Sequence, residues 1–277
     1  MKVRIDRLLV DRKLAASRER AQALILAGRV LVNNVKIEKA GATVADTAEI
    51  RLLGEDLKYV SRGGLKLEKA LAHWQIETDG LVCLDVGAST GGFTDCLLQH
   101  GAALVIAVDT GYGQMVLRLR EDPRVRLLEK TNARFLQAED LQRFLERQSA
   151  SSFDRESDIR PRGVALVVMD VSFISATLVL PAVIKAAFPK QGGAGAEGMS
   201  GEFSSGARII VLVKPQFEVG RKLVGKGGIV RDPTVQAAAV EKVRQKLRDL
   251  GFTSTDVIES PILGAEGNRE FLLYGTL

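Results

Sequence analysis

The sequence predicts an α/β protein of two domains, the larger of which is built on a mostly parallel, Rossmann-like sheet of seven strands. Seven short apolar runs alternate with helical patterns after residue 60, as in sheets that carry helices on both faces. A glycine-rich turn at 87–92 follows the first of these runs. A short polar turn at 264–269 joins the last two runs, which predicts that the final strand is antiparallel.

The composition limits the class of protein. The chain has 277 residues, of which 46% are hydrophobic, and this is enough for a full core. No apolar run approaches the roughly 18 residues that a membrane span requires, so no membrane partner is expected. The two cysteines lack CxxC spacing and there are only two histidines, which predicts free thiols and no metal site. We therefore expect a cytoplasmic protein.

The positive charge is concentrated at the N-terminus. Residues 1–36 contain nine Lys or Arg and three Asp or Glu, so their net charge is +6, whereas the whole chain carries +5. Concentrated cationic charge on a small domain favours a phosphate backbone as the partner. A solvated helix face is the alternative explanation for such a run.

Two short helices and a small β segment are predicted within this basic region. The apolar residues at 5–9 recur at helical spacing. Ser17 is placed to cap a second helix, which Gly28 would end. A β-like run at 30–32 then leads into a turn at 33–34. Such a unit is too small to be an enzyme, and it suits an adaptor with one basic face.

The order of these residues resembles the αL-type RNA-binding domain, which occurs in a small-subunit ribosomal protein and in many pseudouridine synthases. The matching residues are Arg4, Asp6, Leu8, Leu9, Ser17, Arg18, Ala21, Ile25, Gly28, Val30, Val32 and Asn33. Asn34 departs from the usual glycine, but asparagine tolerates the left-handed conformation. The resemblance implies binding of structured RNA, mainly through phosphates and shape. The candidate RNA contacts are Arg4, Arg18, Arg20, Arg29, Lys36 and Arg62.

We predict an RNA-binding domain at residues 1–60 and a second domain at residues 61–277. The join at 54–60 is short, and its composition predicts a limited range of domain orientations. Two polar segments, 149–163 and 191–206, interrupt the pattern of the larger domain and are typical of surface insertions.

The turn after the first strand of the large domain predicts a cofactor that contains adenosine. A strand, a glycine turn and a helix start follow one another at 81–99, which is how doubly wound sheets hold such cofactors. Asp109 ends the next apolar run, where a carboxylate can accept hydrogen bonds from both ribose hydroxyls. Asn132, after the third strand, either meets the adenine edge or is an ordinary turn residue. The other predicted cofactor contacts are Asp85, Gly87, Ser89, Gly91, Gly92 and Phe93.

The spacing of the glycines in the turn distinguishes between the possible cofactors. It lacks the G-K-[ST] ending of a P-loop, which disfavours hydrolysis of nucleoside triphosphates. Ser89 stands where the middle glycine of G-x-G-x-x-G would be, which disfavours NAD. The pattern D-x-G-x-x-x-G-G instead suits S-adenosylmethionine, with Asp85 and the glycines at its methionine end and Asp109 at its ribose.

Four further polar residues lie at positions where the side chain would be buried or would face the ligand-binding cleft, so each calls for a structural or functional explanation. Asp170 ends the fourth strand and Lys214 ends the fifth, and open α/β sheets bind ligands at the carboxyl ends of their strands. A lysine that closes an apolar strand is uncommon, because an unpaired buried ammonium is costly. Lys66 precedes the sheet and Glu270 precedes the last strand. Ordinary surface charge is the alternative explanation for Lys66 and Glu270.

The pattern of these residues resembles the FtsJ-like 2′-O-ribose methyltransferases. The shared features are S-R-x-x-x-K before the sheet, D-x-G-A-x-x-G-G-F at the turn, Asp after the fourth strand, Lys after the fifth and Glu before the last. The resemblance assigns the family's catalytic Lys-Asp-Lys-Glu set to Lys66, Asp170, Lys214 and Glu270. With the αL domain in front, nearly the whole chain is similar to the TlyA family, whose members are also called hemolysin A. The resemblance implies methylation of cytidine ribose in ribosomal RNA, with S-adenosylmethionine as the cofactor.

A mechanism follows from the residue types. A sulfonium methyl is already activated and needs no metal, so the enzyme must align a ribose hydroxyl and help to remove its proton. We predict that Lys214 is the base or the direct positioner of the hydroxyl, that Asp170 orients it, and that Lys66 and Glu270 complete the pocket. The resemblance also includes the motif at 224–231, whose glycines and cations would suit a loop that meets RNA phosphate.

Three alternatives stay open at this point. One is an RNA-binding ribosome-assembly factor that has lost methyl transfer, which the retention of all four polar residues argues against. A second is a membrane-lysing protein, as the name hemolysin suggests, but the sequence shows neither a span nor a cationic amphipathic helix rich in aromatic residues. A third is a methyltransferase that acts on a small molecule or a protein, which the basic N-terminal segment disfavours.

Overall fold

The computed structural model describes residues 2–15, 17–53, 58–148, 163–189, 206–264 and 267–277. The chain divides into two compact units, Met1–Leu57 and Lys58–Leu277, and each has its own apolar core. Most of the two predicted insertions, at 149–163 and 191–206, and part of the join at 54–60 lie outside the described residues.

Over its described residues, the N-terminal unit forms two short helices and five short strands. Its elements are β1 (Lys2–Arg4), α1 (Ile5–Asp11), α2 (Arg18–Leu26), β2 (Val30–Val32), β3 (Val35–Lys36), β4 (Thr43–Ala45) and β5 (Ile50–Leu52). Strand β1 pairs with β4, and a second antiparallel sheet has the order β3-β2-β5. The core joins the apolar faces of both helices to β2 through Ile5, Leu9, Leu24, Ile25 and Val30.

The predicted start and end signals of these elements are confirmed. Ser17 accepts a hydrogen bond from the backbone N–H of Arg20 and so caps α2. Gly28 follows this helix with a φ of +66°. Asn33 and Asn34 have φ values of +50° and +63°, which is the geometry that a two-residue hairpin turn requires.

The larger unit alternates strands and helices as predicted. Its elements are α3 (Gly63–His73), β6 (Val82–Val86), α4 (Gly92–Gln99), β7 (Leu104–Val108), α5 (Leu117–Arg120), β8 (Val125–Leu128), α6 (Ala138–Gln148), β9 (Leu166–Met169), α7 (Ala176–Ala187), β10 (Arg208–Val213), α8 (Pro215–Glu218), α9 (Pro233–Asp249), β11 (Ser254–Glu259) and β12 (Phe271–Thr276). Short 3₁₀ turns lie at Ala133–Phe135, Arg221–Leu223 and Lys226–Gly228. Within the described ranges, no helix is long and apolar enough to cross a membrane.

The strand order in the large sheet is β11-β12-β10-β9-β6-β7-β8. All neighbours from β10 to β8 are parallel, and β12 is antiparallel to both β10 and β11. This confirms the predicted seven-stranded, Rossmann-like methyltransferase sheet with an antiparallel last strand. The last strand is not outermost, however, because β12 lies between β10 and β11. Leu272 and Leu273 of β12 are fully buried, whereas the edge strand β11 is partly exposed along its length.

The strands of this sheet read as continuous apolar runs because both faces of the sheet are covered. Val82, Leu84 and Val86 of β6 belong to the core on one face, and Cys83 belongs to the core on the other. Cys83 and Cys96 are buried free thiols, as the sequence predicted. Since β6, β7, β9 and β10 are parallel, their carboxyl ends lie along one edge of the sheet, and the candidate site is there.

Candidate active site

The glycine-rich turn after β6 packs directly against the residue that follows β9. Gly87 has a φ of +86° and Gly91 a φ of +97°, values that favour glycine. A Cβ on Gly87 would lie 2.8 Å from the carbonyl carbon of Asp170 and closer still to its oxygen. The backbone N–H of Asp170 donates to the carbonyl oxygen of Val86 at 2.9 Å. The turn and Asp170 are therefore neighbours on the same edge of the sheet.

Asp109 joins two loops at the carboxyl end of β7. Its Oδ2 accepts the backbone N–H of Ser89 at 2.8 Å, and its Oδ1 accepts that of Gly111 at 2.6 Å. A carboxylate offers about four lone-pair sites, so each oxygen of Asp109 still has capacity for a ligand hydroxyl. This carboxylate is therefore held in place by the glycine turn before any ligand binds.

Asp85 lies within β6 and is fully buried. Its Oδ2 accepts the hydroxyl of Thr94 at 2.6 Å, while its Oδ1 has no hydrogen-bond partner among the described residues. Burial raises the pKa of Asp85 to about 7, the Thr94 hydrogen bond opposes this rise, and the negative charge of Asp170 adds to it. Asp85 does not line the cavities beside the turn, so direct contact with a cofactor stays a prediction.

We expect Asp85 to make the cofactor-free protein less stable as the pH rises from about 4 to about 7. A carboxyl whose pKa is raised on folding stabilises the folded state fully below its unfolded pKa of 3.8, and this contribution is lost through about pH 7. Urea unfolding of the wild type and of Asp85→Asn across this range measures the effect. The wild-type free energy of unfolding should decline relative to the variant by at most about 4 kcal/mol. A difference that does not change with pH would contradict this assignment.

Lys66 on α3 and Glu270 before β12 form a buried ion pair. The Nζ of Lys66 lies 2.5 Å from the Oε2 of Glu270, and the two side chains are 10% and 3% exposed. Because both side chains are buried, ordinary surface charge, the alternative explanation for both residues, is wrong. Losing either partner would leave an uncompensated buried charge, which is strongly destabilising.

Lys214 and Asp170 form a second pair where β10 and β9 end. The Nζ of Lys214 lies 2.6 Å from the Oδ1 of Asp170 and donates a hydrogen bond to the hydroxyl of Ser172 at 2.7 Å. The approach to Asp170 is a charge contact rather than an aligned hydrogen bond, because Oδ1 has no hydrogen-bond partner among the described residues. Two groups on the loop after β9 thus hold the amine of Lys214.

Three adjoining cavities join the glycine turn to these ion pairs. The first, of about 250 Å³, is lined by the turn, Lys66 and Asp170. The second, of about 540 Å³, is lined by Asp109, Asn132 and Asp170. The third, of about 410 Å³, contains both lysines. Because Asp170 and Lys66 are each shared by two cavities, the turn and the four polar residues belong to one cleft.

Most of the predicted cofactor residues line this cleft. Those on its walls are Gly87, Ser89, Gly92, Phe93, Asp109 and Asn132. Gly91 does not line it but shapes the turn. Asn132 accepts the backbone N–H of Arg134 at 3.1 Å and so caps the turn that follows. It is therefore a turn residue that also faces the second cavity, and Arg62 lies on the wall of the first.

In the N-terminal unit, the buried Asp6 organises two of the predicted RNA contacts. Arg4 donates to Asp6 from Nε at 3.0 Å and from Nη2 at 2.9 Å, and Arg18 donates from Nε at 3.0 Å. These hydrogen bonds hold the pKa of Asp6 well below its usual range, and the bond from Arg4 has the largest effect. The side chains of Arg4 and Arg18 are 49% and 54% exposed. Two guanidinium groups are thus fixed side by side at the surface.

The other predicted contacts of this unit have interactions within the fold. Arg29 donates from Nε to the carbonyl oxygen of Leu53 at 2.7 Å, and Lys36 lies 3.5 Å from Glu38. Arg20 is half-buried. Their contact with RNA stays a prediction.

Ser172 and Phe173 are site residues that the sequence reasoning missed. Phe173 is 92% exposed, has a φ of +65° and lies 5.4 Å from Phe217 between ring centroids. Both Ser172 and Phe173 line the second and third cavities. A positive φ in a bulky residue is a rare conformation that clusters at functional sites. The sequence carries no distinct signal for Phe173, because three of the five residues at 171–175 are apolar and nothing marks this one as exposed.

The cleft brings together two lysines, two paired carboxylates and a nucleoside-sized cavity. Among the described residues, no group of three or more His, Cys, Asp or Glu is placed to hold a metal ion. The amine of Lys214 can contact a hydroxyl in the third cavity, and its acidic partner can stabilise the ammonium that forms if it takes a proton. This chemistry suits the activation of a hydroxyl group.

Comparisons with known proteins agree with this geometry. The FtsJ-like methyltransferase family matches residues 59–277, and the S4 domain matches residues 3–50. The protein TlyA of Mycobacterium tuberculosis is 41% identical over 99% of this chain and 89% of its own length, and hemolysin A of Brachyspira hyodysenteriae is 38% identical over 98% and 99%. A solved structure from Streptococcus thermophilus, whose name carries the word hemolysin, is 38% identical, covers 99% of this chain and 88% of its own, and has a TM-score of 0.67. The chain therefore belongs to the FtsJ-like methyltransferases, in the TlyA family that carries an S4 domain ahead of the methyltransferase domain.

Proposed function

We propose that this chain transfers a methyl group from S-adenosylmethionine to the 2′-hydroxyl of cytidine in ribosomal RNA. The observation that carries the proposal is the single cleft, in which the glycine turn and Asp109 adjoin the Lys66–Glu270 and Lys214–Asp170 pairs. The relative from M. tuberculosis is named a 16S/23S rRNA (cytidine-2′-O)-methyltransferase, which supports the choice of nucleotide. We assign residues 1–60 to RNA binding and 61–277 to methyl transfer, in the cytoplasm, where ribosomes are.

The residues of the cleft fit S-adenosylmethionine. Gly87 and Gly92 have no side chains, so a ligand can approach the backbone of the turn closely. Asp109 has spare lone pairs for ribose hydroxyls, and Asn132 lies on the same cavity wall. A cavity of about 540 Å³ lies within the usual range of small-molecule sites. When bound, the cofactor supplies an electrophilic methyl group on a sulfonium.

Once Lys214 has released its own proton to solvent, the neutral amine contacts the ribose hydroxyl and accepts the hydroxyl proton. Asp170 and Ser172 hold the amine from one side, so its lone pair can be aimed into the third cavity. As the proton arrives, the new ammonium is stabilised by the carboxylate of Asp170, which is already in contact. The buried Lys66–Glu270 pair lines the same cavity and orients the sugar. Alignment and proton removal are the two tasks that this reaction leaves to the protein.

Phe173 provides a surface for the target base. Its ring is exposed at the boundary between the second and third cavities, where a nucleotide with its sugar at Lys214 would place its base. We expect Phe173→Ala to lower kcat/KM for RNA by roughly 10- to 100-fold, because stacking contributes about 1–3 kcal/mol per base. Steady-state kinetics with ribosomal RNA measure the change in kcat/KM, and titration with S-adenosylmethionine checks that cofactor affinity is unchanged. Phe217→Leu, which keeps an apolar support below Phe173, is the control, and equal losses in both variants would contradict the stacking role.

The proposal is tested by methylation of purified ribosomal RNA. Ribosomal RNA from a strain that lacks the gene is incubated with the protein and labelled S-adenosylmethionine, and alkali-resistant positions are mapped. Label on the ribose of one or a few cytidines is the expected result. Cofactor binding without any transfer would instead support the assembly factor, and label on a base or on protein would exclude ribose methylation. Leakage of liposomes at nanomolar protein would revive the membrane-lysing alternative.

A further inference from the structure

A run of cations follows α8 and has no role in the reaction described above. The cationic loop, residues 220–231, contains Arg221, Lys222, Lys226 and Arg231 and no acidic residue. All four side chains are exposed. Among the described residues, none of the four forms an ion pair or a hydrogen bond through its side chain. The loop therefore carries four positive charges that the fold itself does not use.

The shape of the cationic loop is fixed by a buried amide. Asn268 is 1% exposed, its Nδ2 donates to the carbonyl oxygen of Gly228 at 3.0 Å, and its Oδ1 accepts the backbone N–H of Val230 at 3.0 Å. The Nε2 of Gln236 donates to the carbonyl oxygen of Val230 at 2.7 Å. These bonds hold the loop without using any of its cations. A loop that is ordered before its partner arrives loses less conformational entropy on binding.

The cationic loop forms part of the rim of the methyl-transfer pocket. Val224 and Gly228 line the third cavity together with Lys66 and Lys214. Lys226 lies between these two loop residues in the sequence, so it stands at the same rim. A ribose within this cavity carries a phosphate on either side in an RNA chain. With the ribose inside the cavity beside Lys66, Lys214 and Glu270, the chain on either side of it leaves through the mouth of the cavity, which places those phosphates near the rim.

We propose that the cationic loop binds the RNA phosphates next to the target nucleotide, and that Asn268 is the positioning residue that holds the loop ready. The inference rests on the proposed function and adds a second RNA contact, within the methyltransferase domain itself. The recognised group is the phosphodiester backbone, since flexible lysine and arginine side chains without base-reading amides select charge rather than sequence.

The first test removes one charge without disturbing the fold. Lys226→Gln should weaken binding of purified 16S or 23S ribosomal RNA by about 3- to 10-fold at about 0.1 M salt, and should reduce the slope of log K against log salt concentration by about 1. Lys185→Gln is the matched control. Lys185 is exposed near the end of α7 that lies away from the strand carboxyl ends, so its loss should leave both affinity and slope unchanged.

The second test keeps all charges and releases the loop. Asn268→Ala should raise the KM for ribosomal RNA at least 5-fold while kcat and the affinity for S-adenosylmethionine stay within about 2-fold. Asn268→Asp keeps the acceptor for Val230 but sets a buried carboxylate oxygen against the carbonyl oxygen of Gly228, so it should raise the KM at least as much as Asn268→Ala. A loss of kcat alone would mean that Asn268 acts through Glu270, two residues away, and would overturn its proposed role.

The outcomes separate this inference from the proposed function. If the wild type methylates ribosomal RNA but Lys226→Gln and the combined removal of all four cations leave affinity and salt slope unchanged, the inference is wrong and the function stands. If the wild type binds ribosomal RNA with a salt slope that depends on Lys226 yet transfers no methyl group to ribose, the loop binds RNA and the proposed reaction is wrong.

Discussion

Replacing Lys214 with alanine is expected to lower the rate of methyl transfer by about 10²- to 10⁴-fold, the usual contribution of a positioned acid or base. The substitution removes the amine that Asp170 and Ser172 hold at the third cavity. Among the described residues, no other amine contacts both of them. Asp109 and the glycine turn are untouched, so the affinity for S-adenosylmethionine should stay within about 2-fold. Asp170 is 21% exposed, so water can solvate its unpaired charge and folding should survive.

Single-turnover transfer to ribosomal RNA and calorimetric titration of S-adenosylmethionine measure the two effects separately. Lys214→Arg keeps a cationic hydrogen-bond donor at this position but can never become neutral, so it cannot accept a proton. If Lys214 accepts the proton, the arginine variant should be as slow as the alanine variant. Activity near the wild-type level in Lys214→Arg would mean that the residue only positions the hydroxyl. Lys185→Ala, a change at an exposed helical position away from the cleft, should have no effect.

Replacing Gly87 with alanine is expected to have the largest effect on cofactor binding. The new methyl group would meet both the carbonyl carbon and the carbonyl oxygen of Asp170, and neither is the end of a flexible side chain. The residue would also adopt a φ of +86°, which costs about 1–2 kcal/mol for an L-residue. The turn can relieve the collision only by moving away from β9, and this shift disturbs the hydrogen bonds that the turn makes to Val108 and Asp109 on the side of β7.

We expect Gly87→Ala to weaken S-adenosylmethionine binding at least 10-fold and to lower the free energy of unfolding by about 2–4 kcal/mol, a combination of conformational strain and overpacking. Gly113→Ala is the matched control, because Gly113 has a φ of +69° but a Cβ there would meet nothing within 4 Å. Gly113→Ala should lower the free energy of unfolding by the conformational strain alone, about 1–2 kcal/mol, and should leave the affinity for S-adenosylmethionine unchanged. Equal effects of the two substitutions would show that close packing against Asp170 is unimportant. Urea unfolding and calorimetry provide both measurements.

Much of the architecture could be predicted because its signals are local. Apolar runs predicted the strands, and the glycine turn predicted a strand-to-helix junction at a ligand site. Ser17, Gly28 and the Asn33–Asn34 pair each marked an element boundary through its own backbone or side-chain preference. The position of β12 inside the sheet was not predicted, because strand order depends on how much of each strand is buried by its neighbours rather than on the hairpin that joins β11 to β12.

The candidate site was only partly predictable. Asp170 and Lys214 could be placed because each follows an apolar strand, and parallel strands end at one edge. The pairing of Lys66 with Glu270 joins residues 204 positions apart, and the surface-charge alternative could be excluded only when both proved buried. Phe173 was missed because an exposed aromatic residue with a positive φ has no distinct sequence signature, and Asn268 was missed because its two partners are backbone groups of a remote loop.

The sequence by itself determined the α/β class, the small basic domain in front, the glycine turn and the carboxylate of Asp109. Each of these depends on the period of apolar residues, on a glycine or on the residue that ends a strand, and such signals involve only a few neighbouring residues. Only the tertiary structure decided which charges are partners, that Asp85 is enclosed below the turn, and that the cationic loop reaches the pocket that holds Lys214. Those properties depend on burial and on distances between side chains from remote elements, and local sequence does not specify either.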